Sequence, residues 1–210
     1  MLPNIFIAFV NELPETPLPI AGDNENIYIF QEHFIPMNLI TYRPIGIIHS
    51  PFKETVGTPI QPAAGEGIKG DVVVFPEYAE GLKDLEKFSH IILIFHFHQI
   101  TKSLLKLKPF MSERIRGVFS TRAPSRPNPI GISTVRLLGI EGNLLHIQDV
   151  DMIDETPLLD IKPYVPQFDA REVEKIGWLK KEIHKLPKSK DDGRFTESPQ
   201  TSRVRKPKHL

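Results

Sequence analysis

Residues 89–98 read SHIILIFHFH, an apolar run broken only at its ends, which predicts a strand buried on both faces. Shorter stretches of similar character surround it. RPIGIIHS (43–50) predicts a first strand and KGDVVVF (69–75) a second, separated by the Pro/Gly-rich loop PFKETVGTPIQPAAGEG (51–67). PEYAEGLKDLEKF (76–88) opens on Pro76, which suits a first helical turn, and predicts a short helix. RIRGVFS (114–120), GISTVRLLGI (131–140) and NLLHIQDVDMI (143–153) predict three more strands, the last two joined through Glu141-Gly142-Asn143, a hairpin composition. LLDIKPY (158–164) predicts a final short strand, and DAREVEKIGWLKKEIHKL (169–186) a helix. Strands this closely spaced, with one or two short helices, predict a mainly β fold. The expected form is a compact closed β-barrel rather than a βαβ alternation.

Strand-like patterning begins after Met37 and runs on to the helix expected at 169–186, which predicts one domain. Residues 1–36 carry Pro3, Pro14, Pro17, Pro19 and Pro36, with no lysine or arginine and no sustained periodicity, so a poorly ordered extension is expected. Residues 179–210 are expected to finish the last helix and continue as a polar, basic, disordered tail. No apolar run approaches the roughly 18 residues of a membrane span. The first residues lack the basic region of a secretory signal. The chain has no cysteine, which excludes disulfides, thiolate metal sites and cysteine nucleophiles and fits a cytoplasmic protein.

Charge changes the picture by its distribution, because the formal net charge is zero. Between residues 101 and 140 stand Lys102, Lys106, Lys108, Arg114, Arg116, Arg122, Arg126 and Arg136 against Glu113 alone. The stretch that follows reverses sign, with Asp149, Asp151, Asp154, Glu155 and Asp160 against Lys162. Two readings stand: a substrate surface facing a site, or two complementary faces of one fold. Within the basic block, TRAPSRPNPIGIS (121–133) interleaves Arg122 and Arg126 with Pro124, Pro127 and Pro129. Proline fixes φ and removes a donor, so this segment is a stiff loop presenting two guanidinium groups.

Familiar cofactor fingerprints are missing. No strand leads through GxGxxG into a helix, no Walker loop occurs, and the glycines of GEGIKG (65–70) precede a strand. His96 and His98 alternate with Phe95 and Phe97, and period two puts both histidines on one face. A metal would need a third ligand, so no metal site is assigned and structural histidines are favoured. His98 and Gln99 end the apolar run where loops gather, a good place to hold a polar cofactor. Asp160 and Lys162, two apart in an extended segment, share a face as a structural ion pair or a catalytic one.

FSTRAPSRPNPIGIS and DMIDETPLLDIKPY, with GIIHSPFKE and FSHIILIFHFHQ, resemble the TsaA-like (UPF0066) family over about residues 40–178. The resemblance implies a compact β-barrel methyltransferase of non-Rossmann type. It implies dependence on S-adenosylmethionine (S-adenosyl-L-methionine) and methylation of N6 of threonylcarbamoyladenosine next to the tRNA anticodon. It also implies a homodimer with the cofactor near the subunit interface. The matching cofactor positions are Pro59, Ile60, Gln61, His98, Gln99, Arg122, Ile132 and the turn Asp154-Glu155-Thr156-Pro157. Members commonly read DGTP where this chain reads DETP, so Glu155 departs from the pattern. Asp154 or Asp160 is the candidate base. Arg126 joins Arg122 as a candidate for carboxylate or phosphate recognition, and Lys162 and Tyr164 complete the candidate catalytic group. Lys102, Lys106, Lys108, Arg114 and Arg116 are expected to meet the tRNA backbone. Two alternatives stay open: a cofactor- and RNA-binding module without catalysis, and a dimeric structural protein whose Arg/Pro loop packs an interface.

Overall fold

A computed structural model describes residues 40–196, so the expectation for residues 1–36 lies outside the described residues. Among the described residues eight strands form: β1 (Gly46–His49), β2 (Lys69–Val74), β3 (His90–His96), β4 (Lys106–Leu107), β5 (Arg116–Gly117), β6 (Ile130–Glu141), β7 (Leu144–Gln148) and β8 (Thr156–Pro163). Six close into a barrel in the order β1-β2-β7-β6-β3-β8, every neighbouring pair antiparallel, while β4 and β5 make a separate two-stranded ribbon. Closure leaves the six-stranded sheet without a free edge.

The core follows from period-two alternation. Ile48, Val72, Val74, Ile91, Leu93, Val135, Leu145, Ile147 and Leu158 point inward and are buried. Gly131 on β6 lies opposite Phe95 on β3; a Cβ there would sit 2.2 Å from the Phe95 ring, so only glycine leaves room for that aromatic. The β6–β7 hairpin turns at Gly142, whose φ of 63° lies in the left-handed region.

Several expectations need correction. β3 is buried on one face only: Ile91, Leu93 and Phe95 fill the core, while Ile92, Ile94 and His96 point outward and remain half-buried. The strand from 143 stops at Gln148 because Asp149 turns left-handed at φ 73°. The strand expected over 114–120 shrinks to Arg116–Gly117, followed by a 3-10 turn at Val118–Ser120. The helix expected at 76–88 becomes two 3-10 segments, Pro76–Leu82 and Leu85–Lys87, broken at Asp84 with φ 67°.

The helix expected over 169–186 does not form. A single turn α1 (Pro166–Asp169) is followed by irregular chain and two 3-10 segments, Gly177–Lys181 and Ile183–Lys188. Residues 170–176 are all exposed, so no tertiary face supports helix there, and Gly177 at φ 57° breaks the run. The tail expected to lack structure keeps defined contacts as far as Thr196, with residues 197–210 outside the described range.

Candidate active site

At one rim of the barrel the loop 51–61, the end of β3, the Arg/Pro loop and the start of β6 surround a cleft of about 760 Å³. That volume suits a nucleoside-sized ligand. Pro59, Ile60, Gln61, His98, Gln99, Arg122, Arg126, Ile132 and Thr156 all line it, although they come from four separate stretches of sequence. Phe95, Phe97 and Ile100 give it apolar surface beside these polar groups.

The two arginines of the stiff loop have different duties. Arg122 is exposed to the cleft and its guanidinium donates to Gln61 Oε1 at 2.7 Å, tying the Arg/Pro loop to the loop before β2. Arg126 turns back on its own loop. Its Nη1 donates to the carbonyls of Thr121 (2.8 Å), Val118 (3.3 Å) and Ala123 (3.4 Å), and its guanidinium lies 5.9 Å from the Phe119 ring centroid. A guanidinium carrying those bonds organises the loop around Arg122. The structure thus places Arg126 at the site as an anchor.

His98 contributes an unsatisfied atom. Its Nδ1 is buried without a hydrogen-bond partner, and burial lowers the ring's pKa, favouring the neutral imidazole. An orphaned ring nitrogen beside apolar walls fits a polar ligand that would complete its bonding. No group of three or more metal-ligating side chains occurs among the described residues.

The carboxylates divide sharply. Asp154 receives Ser50 N at 3.1 Å, pairs with His49 Nδ1 at 3.2 Å and bonds the Lys53 ammonium. The Lys53 bond, with the Ser50 amide and His49, holds its carboxyl at about 2. Such a group is ionised throughout the neutral range and pulls weakly on a proton, so it ties β1 to the 151–156 turn. Asp151, three residues earlier, lines the cleft and accepts from Ser133 Oγ at 2.7 Å. Enclosure by protein pushes its carboxyl up to about 7, against the Ser133 bond and the Arg122 charge. Asp151 is reached by solvent only in part, through the cleft. Sequence reading passed it over because DMIDETP contains two aspartates and only packing separates them; the one usable signal was its place beside Met152 at the end of an apolar strand.

Asp160, Lys162 and Tyr164 lie elsewhere. Asp160 and Lys162 pair at 2.7 Å on the outward face of β8, across from Ile94 and Ile92, and Tyr164 packs edge-on against His90 with ring centroids 6.4 Å apart. None of the three lines the cleft of this chain. Glu155 is exposed and adopts φ 60°, the left-handed conformation that glycine takes readily. The DETP turn therefore keeps a glycine-like path despite the Glu155 side chain, and its last residue, Pro157, pairs with Ile47 on β1.

A closed six-stranded antiparallel barrel with a nucleoside-sized cleft at its rim defines a ligand-binding barrel unrelated to the Rossmann fold. The chain belongs to the tRNA-methyltransferase O N-terminal domain family, whose profile matches residues 47–170. A Pyrococcus abyssi protein named "probable S-adenosyl-L-methionine-binding protein" is 64% identical over 157 residues, covering 75% of this chain and 85% of that one. The mouse tRNA (adenine(37)-N6)-methyltransferase is 41% identical over 142 residues, covering 63% of this chain and 32% of the mouse protein. The crystal structure of TrmO from Pseudomonas aeruginosa superposes with a TM-score of 0.56 at 39% identity, over 67% of this chain and 62% of that one. The chain thus spans about a third of the mouse protein and less than two thirds of the Pseudomonas chain.

Proposed function

We propose that this protein transfers a methyl group from S-adenosylmethionine to N6 of threonylcarbamoyladenosine at position 37 of tRNA. The carrying observation is the convergence, in one cleft, of the His98 ring with an unsatisfied nitrogen, the Gln61–Arg122 pair and the enclosed carboxyl of Asp151. The names of the relatives support S-adenosylmethionine as the methyl source and N6 of the adenine at position 37 of tRNA as the acceptor. Bound S-adenosylmethionine would supply an activated methyl on a sulfonium, leaving the protein chiefly to align the acceptor.

His98, Gln61 and the backbone around Pro59 and Ile60 would hold the cofactor, with Ile132 and Phe97 as apolar surface. The acceptor nitrogen is conjugated with a carbamoyl carbonyl and is a poor nucleophile while it keeps its proton. Asp151, its pKa raised to about 7 mainly by burial, is poised to accept that proton near neutrality. Arg122 beside it would grip the threonyl carboxylate or stabilise developing negative charge. The exposed Lys106, Lys108 and Arg114 provide cations for the tRNA backbone, together with Lys102 and Arg116.

The barrel would work as a homodimer in the cytoplasm. Ile92 and Ile94 on β3 and the exposed Ile130 and Ile132 on β6 make an apolar outer face running into the cleft, and a second copy would cover it. Asp160 and Lys162 flank that face on β8, so pairing would bring them toward a dimeric site; their catalytic candidacy, and that of Tyr164, rests on it. The glycine-like path of Glu155 weighs against reading the protein as a binder that lost catalysis. Incubation with tRNA containing threonylcarbamoyladenosine and S-adenosylmethionine tests the proposal through a methyl gain detected by mass spectrometry of the nucleoside.

A further inference from the structure

The barrel rim supplies only part of the cleft. Another wall comes from Gly177–Thr196, a segment beyond the residues 47–170 that define the family domain, beside Pro109, Phe110 and Met111 from the connection between β4 and β5. Trp178, Leu179, Ile183, Leu186 and Phe195 face the cleft from this side, opposite a rim whose own apolar groups they help to cover. The segment crosses three loops and fastens to each. Asp191 makes two backbone bonds with the loop before β2, Gly57 N to Asp191 O and Asp191 N to Thr58 O, both 2.8 Å. Arg194 donates to Pro109 O at 2.9 Å, and the Phe195 and Phe110 rings pack edge-on at 5.0 Å. Trp178 Nε1 donates to Ser120 O at 2.8 Å, and Phe195 rests on the buried cluster Leu107, Val118 and Ala123.

Internally the same segment is weak. It consists of two 3-10 stretches, the second containing Pro187, joined to a turn at Gly193 with φ 83°. Short 3-10 turns have poor hydrogen-bond geometry and no cooperative helix behind them. No residue of the segment pairs with a barrel strand; its one β-bridge joins Lys190 to Pro59 in a loop. A stretch fastened by side chains and a few loop bonds opens at lower free energy than the sheet beneath it. Enclosing apolar surface and low independent stability are what a ligand-retaining wall requires: it closes when a ligand adds contacts and releases without unfolding the barrel.

We propose that Gly177–Thr196 is a strap forming the second wall of the cofactor site, with Trp178 and Phe195 as its ligand-facing aromatics, and that strap opening governs ligand release. This rests on the cofactor reading given above. Amide hydrogen exchange on the full chain, with and without saturating S-adenosylhomocysteine, tests it. The expected result is exchange slowed about tenfold or more across 177–196 as well as at 60–61 and 98–99, with the inner barrel strands unchanged. Stopped-flow release of the same ligand from Phe195→Ala and Trp178→Phe should be faster than from the parent, about tenfold for the first. Protection at 60–61 and 98–99 with none across the strap, or release rates equal to the parent in both variants, would overturn the strap while leaving the cofactor reading intact. Absence of protection at both places would overturn the cofactor reading and the strap with it.

Discussion

Replacing Asp151 with asparagine isolates the enclosed carboxyl while keeping its shape and its bond with Ser133. In the folded protein Asp151 holds its proton up to a pH of about 7, whereas its ordinary value is 3.8. Between those values the folded state retains a proton that the unfolded chain has released, so stability falls as pH rises through this window and is level above it. Each pH unit of displacement corresponds to about 1.4 kcal/mol, giving roughly 4 kcal/mol as an upper limit, because the cleft admits some water to the group. Urea unfolding at intervals from pH 4 to 8 should therefore show the stability difference between Asp151→Asn and the parent shifting in favour of the variant as pH rises. Single-turnover methyl transfer should fall about 10²- to 10⁴-fold in the variant, the ordinary range for a lost general base. In the parent the rate should climb with pH and level off above about 7, as the carboxylate form fills. A variant with parental turnover, or parallel stability profiles across the whole pH range, would refute the assignment of Asp151 as an enclosed base.

Arg122→Ala should weaken ligand binding more than it lowers the thermal midpoint, since Arg122 is exposed to the cleft and bonds Gln61, whereas Arg126→Ala should destabilise by about 1–3 kcal/mol through its lost bonds to Thr121, Val118 and Ala123; isothermal calorimetry and thermal melts on both variants separate the two roles. Gly131→Ala should cost about 1–3 kcal/mol by forcing a methyl into the Phe95 ring and should disturb the cleft that both residues line, read by urea unfolding beside ligand affinity.

The barrel was legible because several strands carry period-two alternation, as in β7, where Leu145 and Ile147 turn inward while His146 and Gln148 do not. The failures share a physical origin. A helix over 169–186 was suggested by charge and apolar spacing, but helices that short form only when a face packs, and residues 170–176 have none. The strand end at Asp149 and the break between the two 3-10 segments at Asp84 depend on left-handed residues that a composition-based reading treats as ordinary aspartates. At the site, Gln61, His98 and Arg122 were reachable through motifs, yet the difference between Asp151 and Asp154 was not. One is enclosed beneath Ser133 and the other is saturated by Lys53, His49 and Ser50, partners about a hundred residues away in the chain. The contribution of 177–196 to the cleft was equally hidden, because its contacts run to loops rather than along any periodic pattern.

The central claim is most directly tested by mixing the full chain with S-adenosylmethionine and two tRNA preparations, one bearing threonylcarbamoyladenosine at position 37 and one bearing unmodified adenosine there. Nucleoside mass spectrometry should find one added methyl, on N6 of the modified nucleoside, in the first preparation only. Binding of the cofactor and tRNA with no methyl gain, or methylation of the unmodified adenosine alone, would contradict the proposed reaction.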